Sequence, residues 1–213
     1  MLSSKHLLCL ALLGVVAGHG TVIAKEKVDV ESHAALEALR AKALVPLIAE
    51  RNTYPAMFER AYARYPTLPK GSLEAIAYNQ TGWRNVKPAL EDPDPEHRHM
   101  PASYGVMGLY QGEGFADQVA EGARLTGLPK GLVESHPESN ILAAAALLDQ
   151  AVRQVRRSVG AHGGSEEALL AKALQHYAGF GNGDSIIDSY ARESFAYAAL
   201  QSMAKGVQED GVK

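Results

Sequence analysis

The stretch LEAIAYNQTGWRN, residues 73–85, ends a helical apolar stripe on a polar side chain. Leu73, Ile76 and Ala77 share one face of the predicted helix, and one further turn places Gln80 on that face. A carboxamide there can donate and accept hydrogen bonds, either with a ligand or with the protein at a helix end. It cannot be a general acid, because an amide has no titratable proton in the working range.

Three further motifs follow in order along the chain: SYGVMGLY at 103–110, HPESNILAAAALL at 136–148 and ALQHYAGFGNG at 173–183. Together with AIA at 75–77, they resemble the lysozyme-like (SLT) domain of the lytic transglycosylases, over residues 67–190. In that family the corresponding first helix ends on a catalytic glutamate, and this glutamate aligns with Gln80.

The resemblance implies an all-α, lysozyme-like domain with a glycan-binding cleft. It also implies cleavage of the β-1,4 bond between N-acetylmuramic acid and N-acetylglucosamine in peptidoglycan, where one carboxylic acid protonates the leaving oxygen. Gln80 is then a degenerate catalytic position, and catalysis is expected to be weak or absent. The substrate-binding residues that the resemblance implies are Thr81, Ser103, Tyr104, Met107, Asn140 and Tyr177.

Two alternatives stay open beside this reading. The chain is a non-enzymatic scaffold that localises partners on the cell wall, or it is an active glycosidase in which another acid, such as Glu113, replaces the missing one. The aromatic residues near the motifs also have two readings, because a flat amphipathic ring suits either a sugar or a protein core. These residues are Trp83, Tyr104, Tyr110 and Tyr177.

A metal or other cofactor is not predicted. His97 and His99 lie in an acidic loop, but their spacing matches no ordered ligand set and favours a solvated segment.

Four prolines between residues 84 and 103 exclude a regular helix there, and a long irregular loop of this kind is expected to border a site.

The remaining motifs lie on or between predicted helices. Ser32 is the predicted N-cap of a helix that Pro46 ends or kinks, and Ser165 is the predicted N-cap of the helix that carries Tyr177. The alanine run at 143–146 indicates a closely packed central helix. No run with strand periodicity is evident, so the fold class predicted is all-α.

The composition and the N-terminal sequence limit the partners and the cellular location that the chain can have. The chain has 213 residues and a formal net charge of -3 without a basic run, which does not favour nucleic acid or an anionic membrane as partner. Lys5, the apolar run at 7–16 and VIA at 22–24 are typical of a secretory signal peptide. Cys9, the only cysteine, lies inside that segment, so the mature chain holds no disulfide.

The predicted organisation is therefore a signal peptide at 1–24, N-terminal helices at 25–66 and an SLT-type domain at 67–205. The expected location is periplasmic or secreted. The expected partners are peptidoglycan glycan strands and cell-envelope proteins, with no membrane span after cleavage.

Signal cleavage gives the first test. Cleavage after Ala24 would give the exported protein an N-terminus at Lys25, which intact-mass and N-terminal peptide measurements would detect. A form that keeps Met1 and remains with the membrane fraction would contradict the prediction.

Overall fold

The computed structural model describes residues 21–88, 101–112, 115–159, 164–180, 185–210 and 212, with side chains described from residue 32. The elements, in chain order, are α1 (Thr21–Arg51), α2 (Tyr54–Arg64), α3 (Ser72–Thr81), β1 (Ala102–Tyr104), β2 (Leu109–Gln111), α4 (Gln118–Thr126), α5 (Lys130–Ser135), α6 (Pro137–Val159), α7 (Glu166–Tyr177) and α8 (Ile186–Lys205). The mostly helical prediction is confirmed. Within these described residues, no helix is both long enough and apolar enough to cross a bilayer.

The all-α prediction is wrong in one respect, because β1 and β2 form a small antiparallel hairpin. Ser103 lies opposite Tyr110 in the register of this hairpin. Each strand has only three residues, which is too short to give a recognisable alternation in the sequence. The connecting turn contains Gly105 and Gly108, whose φ angles of 73° and 59° lie in the left-handed region.

The chain divides into two compact units, Met1–Val45 and Pro46–Lys213. In the smaller unit, the side chains of Leu36, Leu39 and Val45 are exposed on α1. The prediction that Ser32 begins this helix is wrong, because α1 already includes residue 21. Residues 1–20 of the predicted signal peptide lie outside the described residues.

Pro46 does not end α1, which continues to Arg51. A proline inside a helix removes one backbone donor, but it leaves the hydrogen bonds of the turns on either side available. The sequence rule that a proline ends a helix is therefore a tendency, and here the helix continues for one further turn and a half.

The larger unit is built around α6. This helix packs against α2, α3, α4, α5 and α7. Its alanines at 143–146 are buried, as the sequence predicts, and they allow close approach. One close approach is to α4, where a Cβ added to Gly122 would lie 2.8 Å from the Cβ of Ala143.

A buried arginine joins three distant parts of the larger unit. The guanidinium of Arg51, at the end of α1, donates to the carbonyl of Gly82, which follows α3, and to the carbonyl of Asp210. Nearby, the hydroxyl of Tyr78 donates to Glu209 Oε2 at 2.7 Å, and Val212 is buried in the core. These contacts hold the C-terminal end of α3.

Asn140, in the first turn of α6, fastens the hairpin turn to the helices. Its side chain is fully buried and accepts a hydrogen bond from Met107 N at 2.8 Å. The amide nitrogen donates to Tyr104 O at 3.1 Å and to Val133 O at 2.9 Å. Gly105 makes room for it, since an added Cβ there would lie 2.2 Å from Asn140 Cγ.

We expect Asn140→Ala to lower the free energy of unfolding by about 2–4 kcal/mol, because it leaves three buried backbone groups without a partner. Denaturant unfolding at constant pH measures this loss. Ser139→Ala, at the half-buried neighbouring position, is the matched control and should change the stability by less than about 0.5 kcal/mol. Equal effects of the two substitutions would contradict the structural role of Asn140.

Candidate functional site

Gln80 lies in the last turn of α3, one residue before the helix ends at Thr81. Its side chain is half-buried, and its Oε1 accepts a hydrogen bond from the hydroxyl of Tyr110 at 3.0 Å. Burial raises the pKa of Tyr110 above its ordinary value, and the interaction with the Gln80 side chain partly opposes this. The phenol therefore stays protonated at neutral pH and remains the donor to Gln80.

The hairpin turn lies directly against Gln80. A Cβ added to Gly108 would lie 2.9 Å from the Cβ of Gln80, 3.2 Å from Ser103 Oγ and 3.2 Å from Thr81 Cγ2. Thr81 Oγ1 lies within hydrogen-bonding distance of two carbonyls, Val106 O at 2.6 Å and Ala77 O at 2.9 Å. Only a glycine at position 108 permits this contact between the turn and α3.

Three aromatic rings pack together in a cluster that reaches Gln80 through Tyr110, and we call this cluster the aromatic wall. It consists of Tyr110, Phe115 and Phe180, whose ring centroids lie 5.9–6.1 Å apart. Phe115 and Phe180 also pair through an isolated antiparallel bridge, so their backbones are fixed relative to each other. The sequence does not single out either phenylalanine, because each lies between helices in a segment without periodicity.

Gln118, the first residue of α4, links the hairpin to the end of α7. Its Oε1 accepts from Tyr110 N at 2.9 Å, and its Nε2 donates to Tyr177 O at 2.6 Å. Gly179 permits the close packing, since an added Cβ would lie 2.9 Å from both Gln118 Cδ and Tyr110 Cδ2. No pattern in the sequence indicates the role of Gln118, because its partners are distant along the chain.

Tyr177 lies beneath the site rather than on its surface. Its side chain is 4% exposed, and its ring packs against Phe195 at a centroid distance of 5.8 Å. The hydroxyl is buried and has no hydrogen-bond partner among the described residues. Burial raises the pKa of Tyr177 strongly, and the proximity of Tyr110 raises it further. Stacking of Tyr177 on a sugar ring does not fit this position.

The other predicted site residues divide by burial. Ser103 and Tyr104 are half-buried in β1, and Gln80 and Thr81 are half-buried at the end of α3. Two more, Met107 and Asn140, are buried and expose no surface to a ligand. At these two motif positions, Met107 packs in the core and Asn140 fastens the hairpin turn.

Two further predictions concern other residues near the motifs. Trp83 is also buried and donates from Nε1 to Glu74 O at 2.9 Å, which supports the core-packing alternative for this ring. Glu113 and the loop histidines His97 and His99 lie outside the described residues. The role of Glu113 as a substitute acid therefore stays a prediction.

The groups that contact Gln80 supply hydrogen bonds and apolar surface. Two of these groups are the phenol of Tyr110 and the backbone at Gly108, and neither is a carboxylic acid. Among the described residues there is also no group of three or more histidine, cysteine, aspartate or glutamate side chains that could hold a metal ion. This arrangement can bind a polar ligand that also has an apolar face.

The observations define a mostly helical domain in which a helix end, a hairpin turn and an aromatic wall meet at one carboxamide. Compared with protein-family models, curated proteins and solved structures, the chain matches none of them.

The contact at Gly108 can be tested by comparing two glycines of similar φ. Gly108→Ala should lower the free energy of unfolding by about 2–4 kcal/mol, because it combines left-handed strain with a clash against Gln80. Gly127→Ala is the matched control, since its φ is 72° and no atom of the described residues, apart from its chain neighbours, lies within 4 Å of the added Cβ. This control should cost only about 1 kcal/mol, and equal losses would contradict the close contact.

Proposed function

We propose that the chain is an exported protein that engages the glycan strands of peptidoglycan, with a lytic-transglycosylase-like site in which catalysis is weak or absent. The observation that carries this proposal is the position of Gln80. It lies at the end of α3, its Oε1 bound by Tyr110, and it borders the aromatic wall and the turn at Gly108. In the resembled family, the residue at this position is the catalytic acid.

The chemistry of the site supports a sugar ligand. An aromatic wall suits the apolar face of a pyranose ring, and an amide beside it suits an N-acetyl group or a ring hydroxyl. The Oε1 of Gln80 is already bound by Tyr110, so a ligand would use its Nε2 as donor. Nε2 makes no hydrogen bond with any described residue.

In this proposal, catalysis is weak or absent because Gln80 occupies the position of the general acid. Glycoside cleavage of this type needs a carboxylic acid that donates a proton to the leaving oxygen, and loss of a general acid commonly lowers the rate by about 10²–10⁴. Gln80 preserves the volume and hydrogen-bonding geometry of a glutamate but has no such proton. The site therefore retains the elements needed for binding and lacks the group needed for reaction.

One observation also favours the scaffold alternative. Leu36 and Leu39, three residues apart on α1, expose apolar side chains, and exposed apolar residues that lie together on a surface often mark contact sites for other proteins. A protein that holds a glycan strand and a cell-envelope partner would use both features. The location in this proposal is periplasmic or secreted.

Gln80→Glu should restore activity if the proposal is correct. The new carboxyl would lie at the half-buried end of α3, where desolvation raises its pKa and the hydrogen bond from the Tyr110 hydroxyl acts in the opposite direction. Its protonated fraction donates to the glycosidic oxygen. We expect release of muropeptides with 1,6-anhydro ends from purified sacculi, at least about tenfold above wild type. Liquid chromatography with mass spectrometry detects these products.

The control is Gln201→Glu, which makes the same change on α8, where the amide is exposed and also contacts a tyrosine hydroxyl. It should leave activity at background. A wild type that already cleaves sacculi and loses this activity in Glu113→Gln would overturn the proposal in favour of an active glycosidase with a relocated acid. A protein that neither cleaves nor co-sediments with sacculi would overturn the glycan assignment altogether.

A further inference from the structure

Helix α8 presents an apolar surface that the rest of the larger unit does not cover. Its outer face carries Ile186, Ile187, Tyr190 and Tyr197, which are 67–87% exposed. Among the described residues of the larger unit, the only other exposed large hydrophobic residue is Leu132 on α5, at 44%. Single exposed apolar residues are normal on a protein surface, whereas four on one helix indicate a contact surface. We call these four residues the α8 stripe.

The spacing of the α8 stripe fits the side of another helix. The inner face of α8 contains the buried Ala196 and Ala199, and the helix packs against α3 and α7. On the outer face, Ile186, Tyr190 and Tyr197 are separated by four and by seven residues. These intervals return to one side of a helix after whole turns, and they are the intervals of contact positions between two packed helices.

The order of residues along this face is nearly symmetric about the point between residues 193 and 194. When a second copy of α8 runs in the opposite direction about that point, Tyr190 lies opposite Tyr197 of the copy. In the same register, Ile186 lies opposite Gln201. The α8 stripe is therefore complementary to itself in an antiparallel arrangement, which is the property that an interface with two-fold symmetry requires.

The polar groups of this face also have partners in the antiparallel copy. Glu193 is exposed and lies between the two tyrosines along the helix. The Tyr197 hydroxyl accepts from Gln201 Nε2 at 3.1 Å, so its own proton is available for donation. Next to the symmetry point, the phenols of one copy lie beside Glu193 of the other. Hydrogen bonds from these phenols to the carboxylate offset the repulsion between the two Glu193 side chains.

The exposed area of the α8 stripe is sufficient for a weak dimer. Two isoleucines and two tyrosines with these exposures present about 500 Å² of mostly apolar surface in each copy. Two copies would together bury about 1,000 Å², which is the lower limit for a specific protein interface. The area therefore favours reversible association over a permanent dimer.

We propose that the chain forms a reversible dimer with two-fold symmetry, in which α8 of one copy packs antiparallel against α8 of a second copy through the α8 stripe. The occupant of this surface is thus the same helix of an identical chain. The proposal is independent of the proposed function, because it uses none of the residues assigned to glycan binding.

Sedimentation equilibrium of the full chain, with Cys9→Ser to exclude disulfides, measures the association. We expect a dimer with a dissociation constant on the order of 10 µM. The double variant Tyr190→Glu, Tyr197→Glu should raise this constant at least about tenfold, because it replaces apolar contacts with like charges. Leu132→Glu makes the same kind of change at the exposed position on α5 and should leave association unchanged. Thermal unfolding of each variant establishes that it is folded.

Cross-linking tests the antiparallel register. In the Cys9→Ser chain, an introduced cysteine is the only cysteine. The two copies of residue 194 would lie about 10 Å apart across the helix pair. The two copies of residue 201 would lie about 22 Å apart along the helix direction. A short bismaleimide should therefore join two chains of Ser194→Cys and leave Gln201→Cys as single chains.

Three results would overturn the proposal. A chain that stays monomeric at about 200 µM does not form the dimer, and the α8 stripe would then belong to a different partner. A dimer that the double tyrosine variant retains, or that Leu132→Glu weakens equally, associates through another surface. Equal cross-linking of Ser194→Cys and Gln201→Cys contradicts the antiparallel arrangement.

Discussion

The arrangement of the candidate site depends on one buried side-chain amide. Asn140 has three backbone partners, Met107 N, Tyr104 O and Val133 O, and thereby holds both ends of the hairpin turn against α5 and α6. Because the turn is fixed, Gly108 meets α3 at Gln80. The backbone N–H and C=O groups of such a turn have no hydrogen-bond partners in a helix or a sheet. A buried carboxamide can supply both the donor and the acceptor that these groups need.

Amides recur at each junction of the site. Asn140 fixes the turn, Gln118 joins β2 to the end of α7, and Gln80 receives the hydroxyl of Tyr110. A network of neutral groups avoids the desolvation penalty that a buried charge would carry. It also leaves the Tyr110 hydroxyl as a donor aimed at position 80, where a carboxylate would accept that hydrogen bond at least as well as an amide does.

Sequence reasoning identified the features that depend on local pattern. The helices, the N-cap at Ser165 and the place of Gln80 at the end of α3 follow from periodicity and from residues within a turn or two. The hairpin was missed because its strands are three residues long. The aromatic wall and Gln118 were missed because their partners lie far apart along the chain, and no single-sequence pattern reports such contacts. The choice between the two readings of Tyr177 could not be made from the sequence, because burial depends on packing between distant elements.

The buried Arg51 has a consequence for the order in which the chain can fold. One of its hydrogen bonds reaches across 31 residues and the other across 159 residues, to the carbonyl of Asp210. Contacts that are so distant in sequence require closure of a long loop and slow the approach to the native state. A nascent chain that ends before this stretch leaves the guanidinium, already costly to bury, without one of its acceptors. The larger unit is therefore complete only once residue 210 is in place, and until then the Arg51 guanidinium holds the C-terminal end of α3 through its bond to Gly82 alone.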